Sequence, residues 1–192
     1  VVDDGSQDET AARARAAGAA ILRHAVNRGQ GAALQSGFRF ALSQGAQVLV
    51  TFDADGQHAA GDVPRLIRPI ADGTADIVLG SRFLEHAASV PVVRRILLRL
   101  AVVFTGVVSG IRLTDAHNGL RAMSRRAAEP LDLQLDRMAH ASEIVDQLVR
   151  TGLPIVEVSV NVRYTPYSID KGQRTSNAAR ILWDYLLSKL SR

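Results

Sequence analysis

Asp53 and Asp55 flank Ala54 directly after the apolar run 47–52 (QVLVTF), and a second acidic cluster, Asp3-Asp4-Gly5-Ser6, follows Val1-Val2. Residues two apart on extended backbone project to the same side. Two neighbouring carboxylates repel unless a cation or hydrogen-bond donors neutralise them. A hard divalent ion is the natural counterpart, and Mg²⁺ in particular is usually held by one or two carboxylates plus the phosphates of its substrate. The plainer reading is a strand running into an acidic surface turn. The site reading is stronger, because the pair ends a buried strand and a second acidic turn is expected beside it.

The elements that must position these residues alternate. Val1-Val2 ends a strand. Ser6-x-x-Glu9 has the form of a capping box, opening an Ala-rich helix that stops at Gly18. A short strand over 20–22 and a second helix, from after the segment Asn27-Arg28-Gly29-Gln30-Gly31 to about Gly45, follow. The run 47–52 is apolar enough for a strand buried on both faces of a parallel sheet. Asp62 caps a third helix with Pro64 in its first turn, and 77–79 is another strand. Strands separated by helices of this length predict right-handed crossovers and an open, doubly wound α/β sheet, in which ligands sit outside the carboxyl ends of the strands. The second half reads as a long helix over 91–109, a short strand over 119–123 and a helix over 139–151. Val156, Val158, Val160 and Val162 then alternate with polar residues as in a half-exposed strand. A polar loop over 164–175 and an amphipathic closing helix complete one domain, 1–192. The chain opens inside a strand and not at a Met, so a first strand is expected to be missing.

Five segments in register carry a family resemblance: VVDDGSQDET, NRGQGAALQSGF, FDADGQH, LGSRF and DAHNGLRAMSR. Together they resemble family 2 glycosyltransferases of the GT-A fold, most closely the dolichol-phosphate mannose synthase and polyprenyl-phosphate glycosyltransferase branch. The resemblance covers residues 1 to about 174. It implies a Rossmann-like, mainly parallel sheet flanked by helices, a UDP- or GDP-linked sugar donor, Mg²⁺ or Mn²⁺, and inversion at the anomeric carbon. It places Val2 and Asp4 at the nucleobase, Asp53 at the ribose, Ala54 within the nucleotide-sugar site, and Asp55 at the metal with Gln57 and Asp53 as further oxygen ligands. Arg82 falls near the diphosphate or the sugar, and Asp115 faces the acceptor. Lys171 and Arg174 lie in the loop that in this family folds over the diphosphate, although YSIDKGQR departs from the commoner arrangement of an Arg followed by GxSK. The implied acceptor is a polyprenyl phosphate, whose ionised oxygen needs no strong base. A hydroxyl acceptor of an envelope glycan would need one, with Asp115 or Glu143 as candidates.

Other features carry two readings. Gly29, Gly31 and Gly37 resemble a phosphate loop but match neither standard glycine pattern, and close helix–sheet packing is the stronger reading. Arg94, Arg95 and Arg99 fall within roughly 140° of a helix and face either solvent or a lipid surface. His58 and His140 read as ligands or, the stronger reading, as surface or supporting residues, and His24 reads as a strand-end residue. VLVTFDADGQ also resembles the haloacid-dehalogenase phosphatase signature, but a strand–helix–strand–helix unit precedes it and Gln57 replaces the usual Thr. A nucleotidyltransferase of related fold and a non-catalytic nucleotide-binding fragment are further alternatives.

Composition sets the bounds. The chain has 192 residues, 47% of them hydrophobic and 22% charged, with no cysteine. That excludes thiol chemistry and thiolate metal sites, and suits a reducing, cytoplasmic setting. The net charge of +4, carried almost wholly by arginine, is too small to imply nucleic acid and fits an anionic ligand or membrane surface. No apolar stretch is long enough to span a bilayer. A lipid acceptor would then be met through peripheral contact with the cytoplasmic membrane face or through a membrane-protein partner.

Overall fold

A computed structural model of the protein describes residues 1–85, 99, 102, 106, 110–116, 118–135 and 140–163. Strand β1 (Val2–Asp3) pairs in parallel with β2 (Leu22–Arg23). A second sheet contains β3 (Val48–Thr51), β4 (Ile77–Ser81), β5 (Arg121–Ser124) and β6 (Ile155–Ser159), in the order β3-β5-β4-β6. Helices α1 (Thr10–Ala16), α2 (Gln30–Ser43), α3 (Val63–Ala71), α4 (Arg125–Ala128) and α5 (His140–Arg150) connect and cover the strands.

The α/β architecture is as expected, but the four-stranded sheet is mixed. β4 and β6 are parallel, whereas β5 runs antiparallel to both β3 and β4. β3, β4 and β6 therefore point the same way, and β5, lying between β3 and β4, runs against them. β4 lies inside the sheet, and all five of its residues are buried. Ile77 and Leu79 pack with Phe38, Leu49, Met123, Ile144 and Leu148 on one face, and Val78 packs with Leu66, Leu120, Ala122 and Val160 on the other. Removing a fully buried side chain of this kind, as in Leu66→Ala, typically costs about 2–5 kcal/mol. β3 is not buried on both faces as expected. Leu49 and Thr51 are buried while Val48 and Val50 are half-buried.

Local signals at helix ends were only partly read. α2 and α5 lie within a residue or two of their expected places. The capping box is not formed. Glu9 stands at the N-cap of α1 without a side-chain cap bond and pairs with Arg13 at 2.7 Å. Asp8, two residues before Thr10, accepts from the Thr10 N–H at 3.0 Å, and the Ser6 N–H goes to Asp3 Oδ1 at 2.8 Å. Asp62 occupies the N-cap of α3, but its Oδ2 accepts from the Asn161 N–H at 2.8 Å and not from the helix. Of the helix expected over 91–109, Arg99, Val102 and Gly106 are helical and the rest lies outside the described residues, as do the loop 164–175 with Lys171 and Arg174 and the closing helix. Among the described residues no helix is long and apolar enough to cross a membrane.

Candidate active site

β3 and β4 point the same way with β5 between them. Their carboxyl ends therefore emerge at one edge of the sheet, two strand spacings or roughly 10 Å apart. Asp53 and Asp55 follow β3, and Arg82 follows β4.

The two aspartates diverge. β3 ends at Thr51, and residues 54–55 form a turn rather than extended backbone. Asp53 turns inward. Its Oδ1 accepts from Gln30 Nε2 at 2.8 Å, and its Oδ2 lies 3.5 Å from His58 Nε2. Gly119 packs against it so closely that any Cβ there would overlap the carboxylate. Burial opposes ionisation of Asp53. The hydrogen bond from His58 and the positive fields of His58, Arg121 and His140 outweigh it and hold the carboxyl below its usual range. Asp55, like Ala54, is exposed; its Oδ1 accepts from the Gln57 N–H at 2.9 Å, and among the described residues no protein group bonds its Oδ2. The turn is pinned from behind, because the Arg163 N–H donates to the Gln57 carbonyl at 2.9 Å and His58 bridges Val162.

At the end of β1, Asp4 closes a loop. It accepts from His24 Nδ1 at 2.6 Å, the Arg28 N–H at 2.9 Å and the Gly29 N–H at 2.6 Å. Burial raises its carboxyl, but those donors more than offset this and hold it low. His24 Nε2 lies 2.9 Å from Ser36 Oγ, so Ser36, His24 and Asp4 stand in the order of a nucleophile triad. Ser36 is nevertheless inside α2, where the backbone N–H groups serve the helix and none remains to stabilise an oxyanion. The arrangement is a clasp between the β1–β2 ends and α2. Asp3 is buried beside it, its Oδ2 without a hydrogen bond and 3.3 Å from Arg23 Nε. Val2 is half-buried against Gly37, and Gly31 lies under the Leu135 carbonyl. Both glycines therefore serve close packing.

At the end of β4, Arg82 and Asp115 form a buried ion pair. Arg82 Nε donates to Asp115 Oδ2 at 2.5 Å, the Arg82 backbone N–H to the same oxygen at 3.2 Å, and Nη2 to Oδ1 at 3.4 Å. Glu143, the other candidate base, is 4% exposed and accepts from the Gln134 and Leu135 N–H groups at 3.1 and 2.9 Å. It holds the 134–135 loop.

Three residues were missed in the sequence. Arg121, 3% exposed in β5, lies between the two halves, in the fields of Asp53 and Asp115. Burial, with Arg82 adding to it, pushes its guanidinium down to about 10 against the pull of the two aspartates, so it remains a cation at neutral pH. Its signal was a charge inside the apolar run Leu120-Arg121-Ala122-Met123. Arg121 also lines a cavity of about 60 Å³ with Gln30, Asp53, Gly119 and His140. Glu157 stands among valines, and its carboxylate accepts from the Thr114 and Asp115 N–H groups. Asp3 looked equivalent to Asp4, and only the β1–β2 register separates them.

The arrangement is an anion-and-cation edge with one exposed carboxylate and a buried, oriented Arg–Asp pair. Comparisons agree with it. The model of the family described as glycosyl transferase family 2 matches residues 1–131. The chain is 32% identical over 175 residues to the UDP-N-acetylglucosamine–dolichyl-phosphate N-acetylglucosaminyltransferase of Methanococcus voltae, covering 89% of this chain and 70% of that one. It is 35% identical over 170 residues to the undecaprenyl-phosphate mannosyltransferase of Micrococcus luteus, covering 83% and 69%. The solved glucosyl-3-phosphoglycerate synthase of Mycobacterium tuberculosis, in complex with Mn²⁺ and uridine-diphosphate-glucose, shares the fold with a TM-score of 0.66 at 24% identity. That match covers 98% of this chain and 66% of the other.

Proposed function

The chain belongs to glycosyl transferase family 2, and from that premise we propose that it moves a sugar from a UDP- or GDP-linked donor to the phosphate of a polyprenyl lipid. The observation that carries this is the shared edge, where exposed Asp55 after β3 stands across β5 from the Arg82–Asp115 pair after β4. The two relatives named for dolichyl- and undecaprenyl-phosphate chemistry support the acceptor. The phosphatase reading of VLVTFDADGQ lapses with the family membership.

On the donor side, Val2 and the Asp4 clasp border the base, and Asp53 faces the ribose. Among the described residues no three acidic or histidine side chains gather into a metal cage. The exposed Asp55 carboxylate and the half-buried Gln57 form a sparse, hard donor set, which suits Mg²⁺ or Mn²⁺ held jointly by protein and diphosphate. A metal role for Asp53 would compete with Gln30 and His58 for its oxygens. When bound, the ion supplies charge neutralisation on the departing diphosphate. Lys171 and Arg174 are assigned to the same diphosphate from the resemblance alone.

On the acceptor side, Arg82 directs its backbone N–H, Nε and Nη2 at Asp115, so the pair orients the acceptor as one unit. Asp115, with both oxygens on Arg82, positions a nucleophile that is already ionised and takes no proton from it. Contact with the lipid is assigned to the segment containing Arg94, Arg95 and Arg99, in which Arg99 is exposed. The test is a screen of labelled UDP- and GDP-sugars against polyprenyl phosphate with the full-length protein, with and without Mn²⁺. Metal-dependent label in the lipid fraction is the expected result. Label that enters only water-soluble hydroxyl acceptors would defeat the proposal.

A further inference from the structure

We infer that Glu157 is the positioning residue that holds the Arg82–Asp115 pair in register. It lies in β6 opposite Leu79 of β4, two residues before Ser81. Its Oε1 accepts from the Thr114 N–H at 3.0 Å, Thr114 Oγ1 at 2.9 Å and the Asp115 N–H at 3.0 Å, and its Oε2 accepts from the Thr114 N–H at 2.8 Å. Thr114 Oγ1 is also 2.6 Å from Ser81 Oγ, and Ser81 Oγ accepts from the Phe83 N–H at 3.2 Å. A hydroxyl has one proton to give. Thr114 gives its proton to Glu157, so Ser81 must donate to Thr114. The chain of bonds therefore runs one way, from Phe83 through Ser81 and Thr114 to the carboxylate. It ends on a charge, which strengthens the final bonds.

Both backbones that carry the ion pair are thus tied to one side chain. Residues 81–83 bring Arg82, and residues 114–115 bring Asp115. The continuation of the same strand holds the other half of the site, because Val162 bridges His58 and the Arg163 N–H donates to the Gln57 carbonyl. β6 therefore registers the acceptor pair against the turn that carries Asp55. Glu157 touches neither reacting group and acts through Asp115.

The inference rests on the transferase reading for its kinetic readout, and amide exchange supplies a second one. Glu157→Ala leaves the Thr114 and Asp115 N–H groups without their acceptor. Acceptor kcat/KM should fall about 10–100-fold, the effect of losing one or two hydrogen bonds to a charged group, mainly through KM. Nucleotide affinity should hold within about twofold, and the Thr114 and Asp115 amides should lose exchange protection. Glu157→Gln keeps an acceptor oxygen and should restore most of the loss. If Glu157→Ala does not fold, Thr114→Val cuts the relay alone and should raise acceptor KM with nucleotide affinity unchanged. Unchanged acceptor KM and amide protection, or a parallel fall in nucleotide affinity, would overturn the inference. Wild-type protein that transfers no sugar would count against the transferase reading, and amide protection in the variants would then decide the role of Glu157 by itself.

Discussion

Asp53 and Asp55 show how two like charges two residues apart take different work. Asp53 turns to Gln30, His58 and Gly119, and Asp55 keeps an oxygen for solvent. Asp55→Asn should therefore abolish Mn²⁺-dependent binding of UDP or GDP while leaving the melting temperature unchanged, since the side chain is exposed. Calorimetric titration reads this directly, and wild-type affinity in the variant would remove Asp55 from the metal site. Asp115 is the residue proposed to meet the acceptor. A phosphate monoester has a second pKa of about 6, so a lipid phosphate attacks mostly as the dianion at neutral pH. Asp115→Asn should keep measurable transfer to polyprenyl phosphate, with the loss mainly in acceptor affinity. The measurement is the rate at saturating acceptor across pH 6–9. A fall of about 10³ at saturation with acceptor affinity intact, within the range for general-base removal, would make Asp115 a base and point to a hydroxyl acceptor. Aspartates after apolar strands were legible in the sequence because a charge at a strand end has few roles there. Which of Asp3 and Asp4 closes the loop before α2 was not, because the donors to Asp4 come from His24, Arg28 and Gly29, brought in by β2 and that loop.

At the scale of elements, the antiparallel β5 makes the site. It separates β3 from β4, carries Arg121 between the two aspartates and brings Gly119 against Asp53. Gly119→Ala should displace the Asp53 carboxylate and weaken nucleotide binding by about tenfold or more, because a one-carbon overlap at a close-packed contact must move one of its partners. Equal nucleotide affinity in the two proteins would show that Asp53 is not held by this contact. The sequence predicted a strand here, two residues early, but not its direction or its place between β3 and β4. Neither follows from hydropathy, because an interior strand of either direction is equally apolar. Glu157 was concealed for a related reason. Period two put it on the open side of β6, and only the tertiary fold lays the Thr114–Asp115 turn over it.

Across the whole molecule, carboxylates at three places tie strands to their neighbours. Asp4 and Asp53 are held low despite burial, and Asp76 is held low first by Arg126 and then by Ser124. A carboxyl whose folded pKa is depressed stabilises the fold above its unfolded value, here 3.8, and loses that contribution as pH falls through the lower folded value. Stability should therefore be level above about pH 5 and drop below about pH 4. Asp76→Asn should flatten that drop in acid-titrated thermal melts, and an unchanged acid slope would show that Asp76 is not linked to folding. The alternation of strands and helices was legible along the chain, as was the placing of Asp53, Asp55 and Arg82 just after strands. The pairing of Arg82 with Asp115 across 33 residues was not, since it depends on which strands become neighbours. The claim that unites these scales is that the edge delivers a sugar to a phosphate. It is tested most directly by offering the full-length protein the same labelled nucleotide-sugar with polyprenyl phosphate and with the matching polyprenol, which differ only in that phosphate. Metal-dependent transfer to polyprenyl phosphate alone, lost in Asp55→Asn, is the predicted result. Equal or preferential transfer to the free alcohol would contradict the account.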